Sequence, residues 1–434
     1  MKKHFIAALA ALGFSLAAAP EITVNFDSAK IYEPGDKLML HIEARDGGNS
    51  LPGPAIIQQY TDSVDTPYFT ERKEELPVFI PFTCDRPGFV RFEMSIPDPA
   101  APADNAKRIN KSVGAAFAPE EIEPSAPRPD DFDAFWQRQL DRLAAVPLKE
   151  LERVEIPVTE PEYAGKLVCY DVKVECVDGV PVSGYLIMPK GAAPKSLPAV
   201  VTYQGAGVYS ARKPFNIAIH GAMVLEINAH GIANGKPQEF YDKLGNGELA
   251  GYYLRGTNDR EKCYFLDMFL RVKRSLDYMK SLPEWNGRNL IAGGGSQGGL
   301  QTVVAAALDS AVTFAAPQAP WLCDVSAPIE RRLFSVWPGF VKLNDDGSAV
   351  DPAVVETMRY FDAVNFAPRV TCDTFVTVGL TDYTCPPTGV MMMYNQLASK
   401  NKSWKMFPNE NHAGPKLYQA GTDAIIARID GLKK

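Results

Sequence analysis

Histidine is scarce: His4, His41, His220, His230 and His412 are the five in a chain of 434 residues. Any imidazole chemistry therefore has few addresses. Cysteine is little used as well, and no Cys-x-x-Cys pair or Cys/His cluster occurs, which removes a zinc module. The seven thiols are Cys84, Cys169, Cys176, Cys263, Cys323, Cys372 and Cys385. They read as small buried hydrophobes with one or two bridges at most, since a chain of this length does not need disulfides to hold a core. Positive charge is in deficit, 45 Lys and Arg against 52 Asp and Glu for a net charge of -7. With no basic run either, nucleic acid is excluded as the main partner. Beyond the N-terminal segment no apolar run is long enough to span a bilayer, so no membrane span is expected.

What is present begins with MKKHFIAALAALGFSLAAAP, a basic start, an apolar run and a small-residue end. That profile predicts a signal peptide over residues 1–19 and an exported product, periplasmic or secreted. No cysteine follows the run, so no lipid anchor is indicated there. Residues 20–117 then read as short, often alternating strands broken by Gly, Pro, Asp and Asn, the pattern of a β-sandwich-like domain. The proline-rich FAPEEIEPSAPRPDDFD marks a boundary. Beyond it Phe132, Phe135, Trp136 and Leu140 fall on one face of a helix that Asp130 or Asp131 is placed to cap.

From about residue 165 the rhythm changes. SLPAVVTYQG and AMVLEINAHG read as fully apolar buried strands, and strands then alternate with helices to the C-terminus. This predicts an α/β domain over 118–434, a doubly wound, mostly parallel sheet covered on both faces. A stretch over about 321–370 breaks the alternation and reads as an insertion above the C-terminal edge of the sheet.

In that alternation stands NLIAGGGSQGGLQTVVAAAL. Gly294-Gly295-Ser296-Gln297-Gly298 is GxSxG between a strand and a helix, the arrangement of a nucleophile elbow. The bend crowds neighbouring backbones, hence the glycines, and aims the Gln297 amide at a developing oxyanion. A serine hydroxyl needs a base. His4 lies in the leader, His41 in the first domain and His220 at the wrong end of a strand. His412, in the loop PNENHAGP before the last helix, has the chain position expected of the base, with His230 as the alternative. Asp382, just past the strand VTVGL, is the expected acid; Glu410 is too near His412 in its own loop, and Asp373 precedes its strand. The second oxyanion amide is assigned to Ala206, or next Gly205, in the loop after VVTY.

RPDDFDAFWQRQL, the run from GYYLRGTNDREKC to LIAGGGSQGG, and VGLTDYTCPPTGVMMMYNQL together resemble the acetyl xylan esterase / cephalosporin C deacetylase family of carbohydrate esterases. GGSQGG joined to GL-x-D-x-x-C-P-P is far more specific than GxSxG alone, and the likeness runs from about residue 125 to the end. The resemblance implies an α/β-hydrolase fold, Ser296, Asp382 and His412 as triad, and removal of small acyl groups, typically acetyl, from sugars or xylan fragments. It implies no metal or cofactor, and it allows a homo-oligomer, since such members are commonly closed assemblies. Three departures stand out. His230-Gly231-Ile232 replaces the family's Arg-Gly-Gln, which gives His230 a support or substrate-contact role. Ala413 replaces a glutamate after the catalytic histidine, and Gln204-Gly205-Ala206 replaces an HGY-like oxyanion loop.

An acylated carbohydrate is thus the expected substrate. Trp321, Phe334 and Trp337 in the insertion are candidates to stack on sugar rings or line an acyl pocket, with lid core as the alternative. An exported serine peptidase of the same fold would share the triad, but no propeller-like repeat precedes the catalytic region. A non-catalytic carbohydrate-binding protein would leave Ser296 and its partners without a purpose.

Overall fold

The computed structural model describes residues 20–51, 53–61, 69–99, 101, 107–330, 332 and 337–433. The expected signal segment 1–19 and Phe334 lie outside the described residues. The catalytic half is built on a nine-stranded sheet. In spatial order its strands are Glu150–Ile156, Leu167–Val174, Val182–Pro189, Met223–Ile227, Leu197–Tyr203, Trp285–Gly295, Phe314–Gln318, Asp373–Gly379 and Lys402–Phe407. The first three pair antiparallel, the third meets Met223–Ile227 antiparallel, and every later pairing is parallel.

Parallel strands of this kind are covered on both sides, which is why LPAVVTY and MVLEI are buried at every position. Helices Tyr264–Ser281 and Gln297–Leu308 pack with Val201, Leu225 and Ala292 on one face. Phe215, Ile217, Ile425 and Ile429 pack with Val200, Val224 and Ile291 on the other. The edge strand Glu150–Ile156, ELERVEI, has no buried residue and gave no alternation to read; its charges suit an unpaired sheet edge.

Two smaller sheets form an N-terminal auxiliary domain. One holds Glu21–Asn25, Lys37–Asp46, Asn49–Ser50 and Val78–Thr83. The other runs Ile31–Tyr32, Arg108–Phe117, Gly88–Pro97, Pro54–Thr61 and Phe69–Glu75. Alternation sends Leu38, Leu40, Ile42, Ile57, Phe82 and Phe92 into a core of its own. The strand Arg108–Phe117, rich in small residues, reaches beyond that core. The Gly114 amide donates to the Pro408 carbonyl at 2.8 Å, while Phe89 and Ala116 join the core of the catalytic half. Tyr60, Arg91 and Gly114 are direct cross-strand neighbours, so one rung of the sheet ends against the loops that follow Asp373–Gly379 and Lys402–Phe407.

The helix Phe132–Ala144 buries Phe132, Phe135 and Trp136, and the Trp136 indole donates to the Tyr360 carbonyl at 3.0 Å. Asp131 holds the N-cap position, but its side chain does not cap; its carboxylate instead accepts from Arg260 at 2.9 Å and from the Tyr360 hydroxyl. Tertiary partners have outcompeted the local bond expected there. Between Phe314–Gln318 and Asp373–Gly379 the insertion carries helices Pro352–Met358 and Ala363–Phe366, capped by Asp351 and Asp362. None of the seven cysteines is bridged; all but Cys372 are buried. Among the described residues no helix is long and apolar enough to cross a membrane.

Candidate active site

Ser296 sits where the strand Trp285–Gly295 turns into the helix Gln297–Leu308, at φ 59°, ψ -123°. A non-glycine residue holds such a conformation only where its surroundings over-determine it. They do. The Ser296 amide donates to the Gln318 carbonyl at 2.9 Å, and the Ser296 carbonyl accepts from Trp321 at 3.0 Å and Leu300 at 3.1 Å. A Cβ on Gly294 would stand 2.6 Å from the Tyr203 carbonyl oxygen and 2.8 Å from that of Gly298. Glycine is required there by neighbouring backbone.

Three side chains separated in sequence converge on this turn. His412 Nε2 lies 3.0 Å from Ser296 Oγ, and His412 Nδ1 lies 2.7 Å from Asp382 Oδ2. A carboxylate only accepts, so Nδ1 carries the ring proton and Nε2 is left to accept from the serine hydroxyl. Asp382 is fully buried, and its Oδ1 accepts the Thr384 and Cys385 amides, each at 2.8 Å. Leu380 donates to the Phe407 carbonyl at 3.0 Å and Thr381 to that of Glu410 at 3.3 Å, which ties the acid's loop to the base's loop. The Tyr418 hydroxyl donates to the His412 carbonyl at 2.7 Å. Asp382, Cys385 and His412 have ligand atoms within 4.8 Å of one another. Both ring nitrogens of His412 are already engaged, and burial pushes the Cys385 thiol well up, so a cation there would have to break the Ser–His contact.

Gln297 begins a helix of twelve buried residues, with its amide in the orphan first turn. Its side chain is fixed from outside, the Tyr252 hydroxyl donating to Oε1 at 2.6 Å. Ala206 lies in the loop after Leu197–Tyr203 and lines the same cavity as Ser296 and His412, of about 750 Å³. His230 is not at the serine. It is 3% exposed, with Nε2 2.9 Å from the Gly207 carbonyl and Nδ1 2.8 Å from the Tyr264 hydroxyl. The carbonyl can only accept, so Nε2 carries a proton, and burial pulls the ring's pKa down to about 4, which keeps it neutral with Nδ1 accepting from the Tyr264 hydroxyl. His230 thus anchors the loop that carries Ala206.

Of the insertion's aromatics, Trp337 lines the cavity and is 38% exposed. Trp321 is 1% exposed, packed edge-on to Phe265 and at a tilt to Phe340 and Trp337, with its indole donating to the Trp337 carbonyl at 2.6 Å. It is lid core and has no surface to offer a sugar. Sequence reasoning missed Tyr252 and Tyr418, which act on Gln297 and His412 from 45 and 6 residues away. The one signal for Tyr418 was its place one turn into the helix that follows the histidine loop.

Known proteins share this frame. Residues 120–426 match the family model described as acetyl xylan esterase (AXE1). The acetyl esterase Axe7A of Xylanibacter ruminicola is 31% identical over 327 residues, 74% of this chain and 70% of that one. The solved acetyl xylan esterase of Paenibacillus sp. R4 is similar at a TM-score of 0.59 and 26% identity, over 71% of this chain and 98% of that one. Acetyl xylan esterase 1 of Thermoanaerobacterium sp. JW/SL YS485 shares the fold at a TM-score of 0.61 and 24% identity, over 72% and 97%. With a strand-turn-helix serine, a histidine in the last loop and a match covering most of the chain, this protein belongs to the acetyl xylan esterase family of carboxylic ester hydrolases.

Proposed function

We propose that the chain is a serine esterase that removes acetyl groups from acetylated carbohydrate, with Ser296 as nucleophile, His412 as base and Asp382 as its orienting acid. The observation that carries this reading is the chain of two hydrogen bonds, 3.0 Å and 2.7 Å, from Ser296 through His412 to Asp382. Ser296 Oγ attacks the acetyl carbonyl while its proton passes to His412 Nε2, and the buried Asp382 carboxylate steadies the imidazolium. The Gln297 and Ala206 amides receive the oxyanion. The imidazolium then protonates the departing sugar oxygen, leaving an acetyl-enzyme, which water opens by the same steps in reverse.

The cavity suits a sugar ester, with Trp337 offering a partly exposed ring at its wall. We also infer export to the periplasm or beyond, from the Lys2-Lys3 start and apolar run, which suits a polysaccharide substrate found outside the cytoplasm. Ser296→Ala is expected to lower kcat on an acetylated xyloside by at least ~10³-fold with the fold kept, and to abolish labelling by an organophosphonate. A folded variant with near-wild-type turnover would reject the assignment. Parallel assays on dipeptidyl amides separate esterase from peptidase.

A further inference from the structure

The strand Met223–Ile227, wholly apolar by pattern, carries one carboxylate. Glu226 is 8% exposed, and its register neighbour is Thr202, whose neighbour on the far side is Gly293. The row crosses the C-terminal ends of three parallel strands, on the face whose deeper positions are Val200, Val224 and Ile291. It lines the cavity that holds Ser296, which stands three residues beyond Gly293, roughly 10 Å along the strand.

Glu226 Oε1 accepts the Arg212 amide at 2.9 Å and Oε2 accepts the Thr202 hydroxyl at 3.1 Å. Among the described residues no cation forms an ion pair with it. A carboxylate offers about four acceptor positions, so about half are unassigned. Burying an acid is costly even with the Arg212 charge nearby, and burial raises the Glu226 carboxyl above the usual range, against the pull of the Arg212 amide, the Arg212 charge and the Thr202 hydroxyl. A neutral glutamine could hold the Arg212 amide without that cost, and an apolar residue would suit the strand better. A buried acid kept on the wall of the catalytic cavity calls for a donor from outside.

We propose that Glu226 and Thr202 form the floor of a sugar subsite below Ser296, where Glu226 accepts hydrogen bonds from free hydroxyls of the carbohydrate whose acetyl group is at the serine. This rests on the carbohydrate-esterase reading and extends it to the residues that select the alcohol portion. Lys213 and Asn216 line the same cavity and add donor groups to its wall. A long acyl chain is disfavoured in the same place, because hydrocarbon would strip water from the carboxylate and return no donor.

The test uses the full chain on two esters, para-nitrophenyl acetate, which has no hydroxyl to offer, and a methyl xyloside bearing a single acetyl group. In Glu226→Gln the ratio of kcat/KM for the xyloside to that for the aryl ester should fall at least ~10-fold, the scale of one hydrogen bond to a charged group. In Thr202→Val the ratio should fall about fivefold, one neutral hydrogen bond. If both rates drop together and the ratio holds, Glu226 is a structural staple and the proposal is overturned. Should Glu226→Gln fail to fold, the ratio in Thr202→Val decides alone. Failure of the wild-type chain to hydrolyse either ester would instead overturn the esterase reading itself.

Discussion

His412 and His230 both lie above the strand ends, and their bonding sets their chemistry apart. His412 keeps one nitrogen for the serine proton; His230 spends both on Gly207 and Tyr264. His412→Ala should therefore remove nearly all turnover, ~10³-fold or more, while His230→Gln stays within about tenfold; the reverse order in folded proteins would break the triad. Stability should show the opposite ranking. The folded His230 titrates near 4 against an ordinary 6.5, so between those values the unfolded chain takes up a proton that the native state refuses. Stability is complete above pH 6.5 and declines as pH falls toward 4, by roughly 3 kcal/mol from this group. Denaturant titrations at pH 7 and 4.5 check it: His230→Gln should lose that part of the slope, and an unaltered slope would place the acid sensitivity elsewhere.

At the scale of elements, the catalytic loops owe their seat to a strand from the other domain. A Cβ on Gly114 would stand 2.5 Å from Leu380 Cβ and 2.6 Å from the Leu380 carbonyl oxygen, two residues before Asp382. Backbone on the far side cannot yield as a side-chain tip would. Gly114→Ala should lower kcat about tenfold or more with KM little changed, since small displacements of a catalytic group are costly. Organophosphonate labelling at the wild-type rate would show that the Asp382 loop had not moved. This contact was illegible in the sequence. SVGAAF lacks the alternation that marks its neighbour GFVRFEMSI, and its small residues give no sign of the partner that they pack against. The elbow was legible because GGGSQGG forces one local geometry, and the acid and base because the order Ser, Asp, His is fixed by the sheet. Glu226 was hidden by the apolar run around it, and the role of Asp131 was set by Arg260 and Tyr360, residues far away in the chain. Local pattern reports local causes.

At the scale of the whole molecule, we propose a division into a domain over 20–117 and a catalytic domain over 118–434. The two are not independent in packing. Phe89 and Ala116 belong to the catalytic core, the Gly114 amide bonds Pro408, and the Arg91 guanidinium lies 5.8 Å from the Tyr383 ring beside Asp382. A fragment of residues 125–434 should be less stable than the full chain and at least ~10-fold slower on a small acetyl ester. A fragment with the melting temperature and kcat of the whole would establish the β-domain as a separate module.

The unbridged cysteines bear on the molecule's life before it is folded. Burial pushes the thiols of Cys169 and Cys263 up to about 12 and that of Cys372 to about 11, which leaves scarcely any thiolate to exchange once the chain has folded. No disulfide has to form between the reduced polypeptide and the finished enzyme. It should mature alike in a reducing or an oxidising compartment, without an oxidoreductase to guide it, and the same active protein is to be expected from either.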